Sequence, residues 1–309
     1  MSPTYKKIFD PASQPLARMH VGEGVGDRSD PSSYVFSDKI VLAINVALAA
    51  GRPLLVRGPS GTGKSSLARS VARHLGWSYF EMVVTSRTEA RDFLWRTDHL
   101  KRLRDAQVGD PVQDHAAYTT PGALFWGFDP KMAINLLKRT GRAGMTPTGY
   151  LANATGAVVL IDENDKAEPD VPNSLLEPFG TLSFDLEDLG QRVSARNAPF
   201  VMVTTNEERD LPQAFLRRCV ELEIDPPGVD QLVVIAQSHF PESDHDFLKA
   251  IAQSMVSQSK DGNGFVSTAE YLDTIRACVR LGVNPSDETF RAVSEATGRK
   301  RGRMSADTR

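Results

Sequence analysis

Up to residue 224 the apolar positions fall into two arrangements, and each predicts a different kind of element. Residues 53–57, 79–84, 157–161 and 199–205 are short, nearly continuous apolar runs, the pattern of strands buried on both faces of a parallel sheet. Residues 220–224 alternate apolar with acidic, which predicts a fifth and more peripheral strand. Helical spacing comes between these runs. Leu67, Ala68, Val71, Ala72 and Leu75 predict a helix over 65–75. Ile40, Val41, Ile44, Val46 and Leu48, with Ser37-Asp38 as a cap, predict one that ends at Gly51. Strands separated by helices predict an α/β sandwich, αβα in layers, with a mostly parallel five-stranded sheet.

Past Asp225-Pro226-Pro227-Gly228 only helical signals remain, at residues 231–240, 247–257, 268–281 and 286–296. The expected organisation is therefore a main domain over 34–226, a small all-helical domain over 227–297 and a basic, solvated tail over 298–309. Residues 1–33 are rich in Gly, Pro, Ser and charge and lack periodicity, which predicts a loosely ordered lead-in that needs no core.

Composition narrows the class without naming a partner. With 309 residues, 40% apolar and 24% charged, the chain can bury a real core. A formal net charge of −3 gives no general attraction to nucleic acid or to an anionic membrane, so any such binding must come from a local patch. The apolar stretch over 41–50 is broken by Asn45 and too short for a bilayer, and no secretory signal precedes it. A cytoplasmic protein without a membrane partner is expected. Cys219 and Cys278 are the only cysteines, which speaks against a disulfide framework or structural zinc.

The chemistry begins where the first predicted strand ends. Gly58, Pro59, Ser60, Gly61, Thr62, Gly63, Lys64 and Ser65 form a complete GxxxxGK[ST] phosphate-binding loop, with Ser66 next in the following helix. Glycines let backbone N–H groups converge on phosphates, Lys64 brings charge to the β and γ oxygens, and Ser65 offers a hydroxyl to Mg²⁺. A nucleoside triphosphate is the expected ligand. The run over 157–161 ends in Asp162-Glu163. In that pairing Asp162 would hold Mg²⁺ through its water shell, and Glu163 would polarise the attacking water. Asn206 closes the next strand, and in a parallel sheet it would lie beside that pair, within reach of the γ-phosphate or the water. Arg217 and Arg218 end a short predicted helix. Within one chain they would pair with surface acids; in a ring they would reach a neighbour's γ-phosphate.

Phosphate loop, Asp162-Glu163, Thr205-Asn206, Arg217-Arg218 and a helical C-terminal domain, in that order, resemble an AAA+ ATPase, a P-loop NTPase. Residues 162–167, Leu175-Leu176-Glu177 and residues 211–219 are most similar to its MoxR branch. The resemblance spans roughly residues 34–297. It implies Lys64 and Ser65 as Walker A residues, Asp162 and Glu163 as Walker B, Asn206 as sensor 1, and Arg218 with Arg217 as finger candidates. It also implies ATP and Mg²⁺, a ring, usually a hexamer, and chaperone-like remodelling of a client protein, often with a von Willebrand factor A type partner. Two departures stand out. Ala269 occupies the place where the branch commonly carries a sensor 2 arginine, with Arg276 about two turns on, and Asn164 replaces a usual apolar residue.

Several segments keep two readings. Residues 118–130, with Ala123-Leu124-Phe125-Trp126-Gly127-Phe128, resemble the family's inserted hairpin near the pore, or pack inside. Residues 181–196 predict a second hairpin with Phe184 and Leu186 on one face. Arg87, Arg91, Arg96, Lys101, Arg102 and Arg104 around Trp95 suit either a nucleic acid, as in a nucleic-acid-dependent motor, or a solvated surface paired with Glu89, Asp92, Asp98 and Asp105. A nucleotide-gated scaffold with little hydrolysis is a further alternative. Asp261-Gly262-Asn263-Gly264 predicts a turn, not a calcium loop, and Asp244-His245-Asp246 a helix cap.

Overall fold

The computed structural model describes residues 5–13, 16, 33–108, 115–260 and 265–298. The expected turn at 261–264 and tail at 299–309 lie outside them. The strands are β1 (Leu54–Arg57), β2 (Ser78–Val83), β3 (Trp95–Thr97), β4 (Thr119–Pro121), β5 (Ala157–Asp162), β6 (Ser183–Leu186), β7 (Gln191–Ser194), β8 (Phe200–Thr205) and β9 (Val220–Glu223). The helices are α1 (Asp38–Ala50), α2 (Lys64–Leu75), α3 (His99–Val108), α4 (Ala123–Phe128), α5 (Pro130–Arg139), α6 (Asp170–Ser174), α7 (Leu176–Thr181), α8 (Gln213–Leu216), α9 (Val229–His239), α10 (His245–Lys260), α11 (Thr268–Leu281) and α12 (Glu288–Thr297). By contact the chain forms two units: 1–17, 36–57 and 64–223 in the first, and 18–35, 58–63 and 224–309 in the second.

In the first unit, five parallel strands stand in the order β2-β5-β8-β1-β9. The apolar runs became the central strands because a parallel sheet is covered on both faces. Every residue of β8 is buried, and in β5 only Asp162 at the end is not. β9, whose side chains alternate, takes an edge. α1 begins on Ser37, whose hydroxyl accepts the Ile40 N–H, and stops at Gly51 with φ 62°, a left-handed conformation that glycine adopts without strain. One face of the sheet is covered by α4 and by the β6–β7 hairpin: Leu124, Phe125, Phe128, Phe184, Leu186 and Val193 are all buried there. The stretch over 123–128 is thus a buried helix and not a gripping hairpin, since all six of its residues face inward. The hairpin over 183–194 has the expected pairing, and Phe184 stacks on Trp95 at 5.7 Å between ring centroids.

Part of the basic stretch is engaged locally. Glu89 and Asp92 cap a 3₁₀ turn over Ala90–Phe93, Asp92 also pairs with Arg96 at 3.2 Å, and Trp95 is buried rather than presented to a base.

The expectation that nothing before residue 33 needs a core is corrected at Phe9, which is 1% exposed. Asn45, buried in α1, accepts from the N–H groups of Ile8 (2.6 Å) and Phe9 (2.9 Å) through Oδ1 and donates to the Phe9 carbonyl (2.8 Å) through Nδ2. Phe9 then meets Phe36 and His74 edge-on at 5.2 and 5.8 Å. The polar residue that breaks the apolar run of α1 is therefore an anchor for the segment before it.

The second unit has its own core of Leu232, Leu248, Ile251, Tyr271, Ile275 and Phe290 from α9 to α12. Asp244 caps α10 by accepting the Phe247 N–H at 3.0 Å. Ser267 and Glu270 form a capping box at the start of α11. On that helix Ala269 lies in the first turn, and the Arg276 guanidinium pairs with Asp273.

Candidate nucleotide site

The carboxyl ends of β5, β8 and β1 lie abreast, which places the residues that follow them side by side. After β1 the loop over 58–63 turns on glycines with positive φ: Gly58 at 141°, Gly61 at 81° and Gly63 at 90°. At Gly58 a Cβ would run into the Ile224 carbonyl oxygen, so a larger residue is excluded. The Thr62 hydroxyl donates to the Pro59 carbonyl at 2.9 Å, which holds the loop bent.

Lys64 opens α2 and is only 6% exposed. Its Nζ donates to Asn206 Oδ1 at 2.8 Å. Burial pulls its pKa down, while Asp162, Asp165, Glu163 and Glu207 pull it up. A desolvated cation surrounded by acids is suited to trading those partners for phosphate oxygens. Ser65 Oγ donates to Asp162 at 2.8 and 3.0 Å to the two carboxylate oxygens. The Thr204 hydroxyl, from β8, donates to Asp162 Oδ1 on one side and accepts the Glu163 N–H (2.9 Å) on the other. One β8 side chain therefore holds both acids.

Glu163 has φ 58°, an unfavourable region for a residue with a Cβ and one that recurs at functional sites. Its Oε2 accepts from Lys166 Nζ at 2.6 Å. It borders a cleft of about 390 Å³ with Thr85, Ser86, Asp165, Glu208 and Arg209. Asp165, 1% exposed, accepts the N–H groups of Asn206 (3.1 Å) and Glu208 (2.9 Å) through Oδ2. Asn164 is buried with neither end of its amide hydrogen-bonded, and nothing in the structure explains it.

The structure thus brings together Lys64, Ser65, Asp162, Glu163 and Asn206. Arg217 and Arg218 stand apart from this group: both are exposed, and Arg218 donates to the Leu176 carbonyl at 3.3 Å. Among the described residues, neither hydrogen-bonds the five. Sequence reasoning missed three contributors: Thr204, Asp165 and Lys166. Lys166 lies three residues after Glu163 in a turn, a spacing that hints at the pair. Thr204 and Asp165 had no such signal, because their partners meet only through strand register.

The donor set fits a nucleoside triphosphate with Mg²⁺. Ser65 offers a hard oxygen ligand with the Asp162 carboxylate beside it to hold the ion through its water shell, and Mg²⁺ typically takes one or two protein oxygens and fills the rest with phosphate and water. No group of three or more His, Cys, Asp or Glu able to hold a metal is present among the described residues. Nor is any helix among them long and apolar enough to cross a membrane.

The family described as AAA domain (dynein-related subfamily) matches residues 53–219, more than half of the chain. A mitochondrial Lon protease homolog from the diatom Phaeodactylum tricornutum is 28% identical over 204 residues, 63% of this chain. The chain spans only 19% of that relative's length. Among solved structures, a point mutant of Thermotoga maritima RuvB aligns with a TM-score of 0.47 at 16% identity, over 84% of this chain and 67% of that one. The Thermotoga maritima RuvB Holliday junction branch migration motor aligns with a TM-score of 0.45 at 15% identity, over 82% and 65%. The phosphate-loop motif, the paired acids and the five-stranded parallel sheet accord with the family match, which settles the class: the chain belongs to the AAA domain family, dynein-related subfamily, and is an AAA+ ATPase.

Proposed function

We propose that this AAA+ chain is a MoxR-like motor that binds ATP with Mg²⁺ and hydrolyses it within a ring of its own copies to remodel a partner protein. The observation that carries the catalytic part is the hydrogen-bonded row across three strand ends: Asn206–Lys64, then Ser65–Asp162–Thr204–Glu163. In this reading the loop over 58–63 and Lys64 bind the phosphates, and Ser65 and Asp162 hold Mg²⁺. Bound there, Mg²⁺ neutralises charge on the phosphate oxygens. Glu163 accepts the proton of the attacking water, through Oε1 or, once Lys166 Nζ has moved away, through Oε2. Asn206 orients the water or the γ-phosphate.

The MoxR assignment, and with it the ring and the von Willebrand factor A type partner, rests on the resemblance carried by residues 162–167, 175–177 and 211–219; the exposure of Arg217 and Arg218 supports only their availability to a neighbour. Residues 34–226 would serve as the motor domain and 227–297 as its lid. Glu163→Gln should keep ATP affinity and lower phosphate release by about 10²-fold or more, the range for a lost general base. Turnover at the wild-type rate would end the assignment of Glu163. Light scattering after size exclusion, with ATP and Mg²⁺, should give a nucleotide-dependent ring. A persistent monomer would remove the role of Arg217 and Arg218 in trans.

A further inference from the structure

We infer that Asp165 is a positioning residue that sets Asn206 in place, an inference that rests on the ATPase reading of Asn206. Asp165 follows β5 in a 3₁₀ turn over Asn164–Lys166 and is 1% exposed. The three residues after β8 present successive backbone N–H groups, and side-chain oxygens take all three. Asp165 Oδ2 accepts from Asn206 at 3.1 Å and Glu208 at 2.9 Å, and Thr205 Oγ1 accepts from Glu207 at 2.9 Å. Glu207 between them has φ 62°. A concave run of N–H groups with one residue left-handed is an anion-binding arrangement, and here the anion is the chain's own carboxylate.

Alongside the Thr204 contact with the Glu163 N–H, this grip ties the β5 turn to the backbone that carries Asn206, whose Oδ1 meets Lys64 Nζ at 2.8 Å. It comes with a cost. Asp165 Oδ1 is buried with no hydrogen-bond partner, and a buried carboxylate with half its capacity unmet destabilises a fold. A device that sacrifices stability to fix a turn belongs with the placement of Asn206 rather than with the core. The acid that follows the catalytic pair in sequence thus acts across the sheet, through the neighbouring strand.

The test uses the full chain. Asp165→Ala should lower kcat at least tenfold, with KM and the affinity for the fluorescent analogue mant-ATP within threefold of wild type. Asp165→Asn, which keeps one acceptor in the same place but loses the charge that strengthens both hydrogen bonds, should lower kcat by about three- to fivefold. In an Asn206→Ala background, Asp165→Ala should cost no more than a further twofold. An unchanged kcat, or a loss that multiplies with that of Asn206→Ala, overturns the inference. Should the alanine variant fail to fold, amide hydrogen exchange of Asp165→Asn decides. Asn206 and Glu208 should exchange at least threefold faster than in wild type while β8 amides hold their rates, and equal rates at all of them overturn it. That measurement needs no turnover. A wild-type chain that binds mant-ATP without hydrolysing ATP would therefore end the proposed function, while exchange still decides how Asn206 is held.

Discussion

The loop after β1 and the turns after β5 and β8 reach left-handed backbone in opposite ways. The loop uses glycine at every such position, Gly58, Gly61 and Gly63, so its conformation is free of Cβ strain. The turns use Glu163 and Glu207, where each left-handed residue costs about 1 kcal/mol or more. Side-chain hydrogen bonds from Thr204, Thr205 and Asp165 and the ion pairs of Lys166 and Arg57 hold them there. A cradle for phosphate needs backbone and no side chains. A set of acids and amides that acts on phosphate needs side chains aimed from tight bends, and strain is the consequence.

Substitutions can break that contrast or sharpen it. The largest effect belongs to the turn side: Asp162→Asn should lower ATP turnover by about 10²-fold, because it removes the charge that Ser65 and Thr204 both address. Phosphate release under saturating Mg²⁺ checks it, and a loss under tenfold would mean Asp162 is not a metal ligand. Next comes the loop: Gly58→Ala should weaken ATP binding tenfold or more, measured by titration calorimetry, since no Cβ fits against Ile224. Thr204→Val should cost about 1–3 kcal/mol of stability in urea unfolding, because it leaves the part-buried Glu163 N–H unpaired and removes the hydroxyl that donates to Asp162. Turnover should fall with it. The smallest effect has the opposite sign. Glu207→Gly should raise stability by up to about 1 kcal/mol, as relief of a left-handed residue exceeds the loss of an exposed pair with Arg57. A loss of more than 1 kcal/mol there would show that the turn is not strained.

The same contrast explains what the sequence made legible. The glycine loop is readable because its conformation is written in one residue type at fixed spacing, and the central strands because burial on both faces leaves continuous apolar runs. Lys64 and Ser65 followed from the spacing of that loop, and Asp162, Glu163 and Asn206 from their places at strand ends. Thr204 as a shared clamp and Asp165 as an internal anion did not, since each acts on a partner about 40 residues away that only the parallel register brings near. The anchor at Asn45 was misread for the same reason: its polar amide looked like an interruption of an apolar helix, and the backbone it satisfies lies 36 and 37 residues earlier. The buried helix over 123–128 could be read either way, because a short aromatic run looks alike on a pore loop and in a core.

The position of β1 carries a consequence for biosynthesis. The strand that ends in the phosphate loop occupies residues 54–57, yet its two sheet neighbours are residues 200–205 and 220–223. A nascent chain therefore makes its phosphate loop early and cannot seat it until both later strands have cleared the ribosome. Loop closure over so long a stretch makes this pairing slow relative to local helix formation. Chains released before residue 200 should carry every glycine of the loop and bind no nucleotide, and stalled complexes should acquire ATP binding only after residue 223 has emerged.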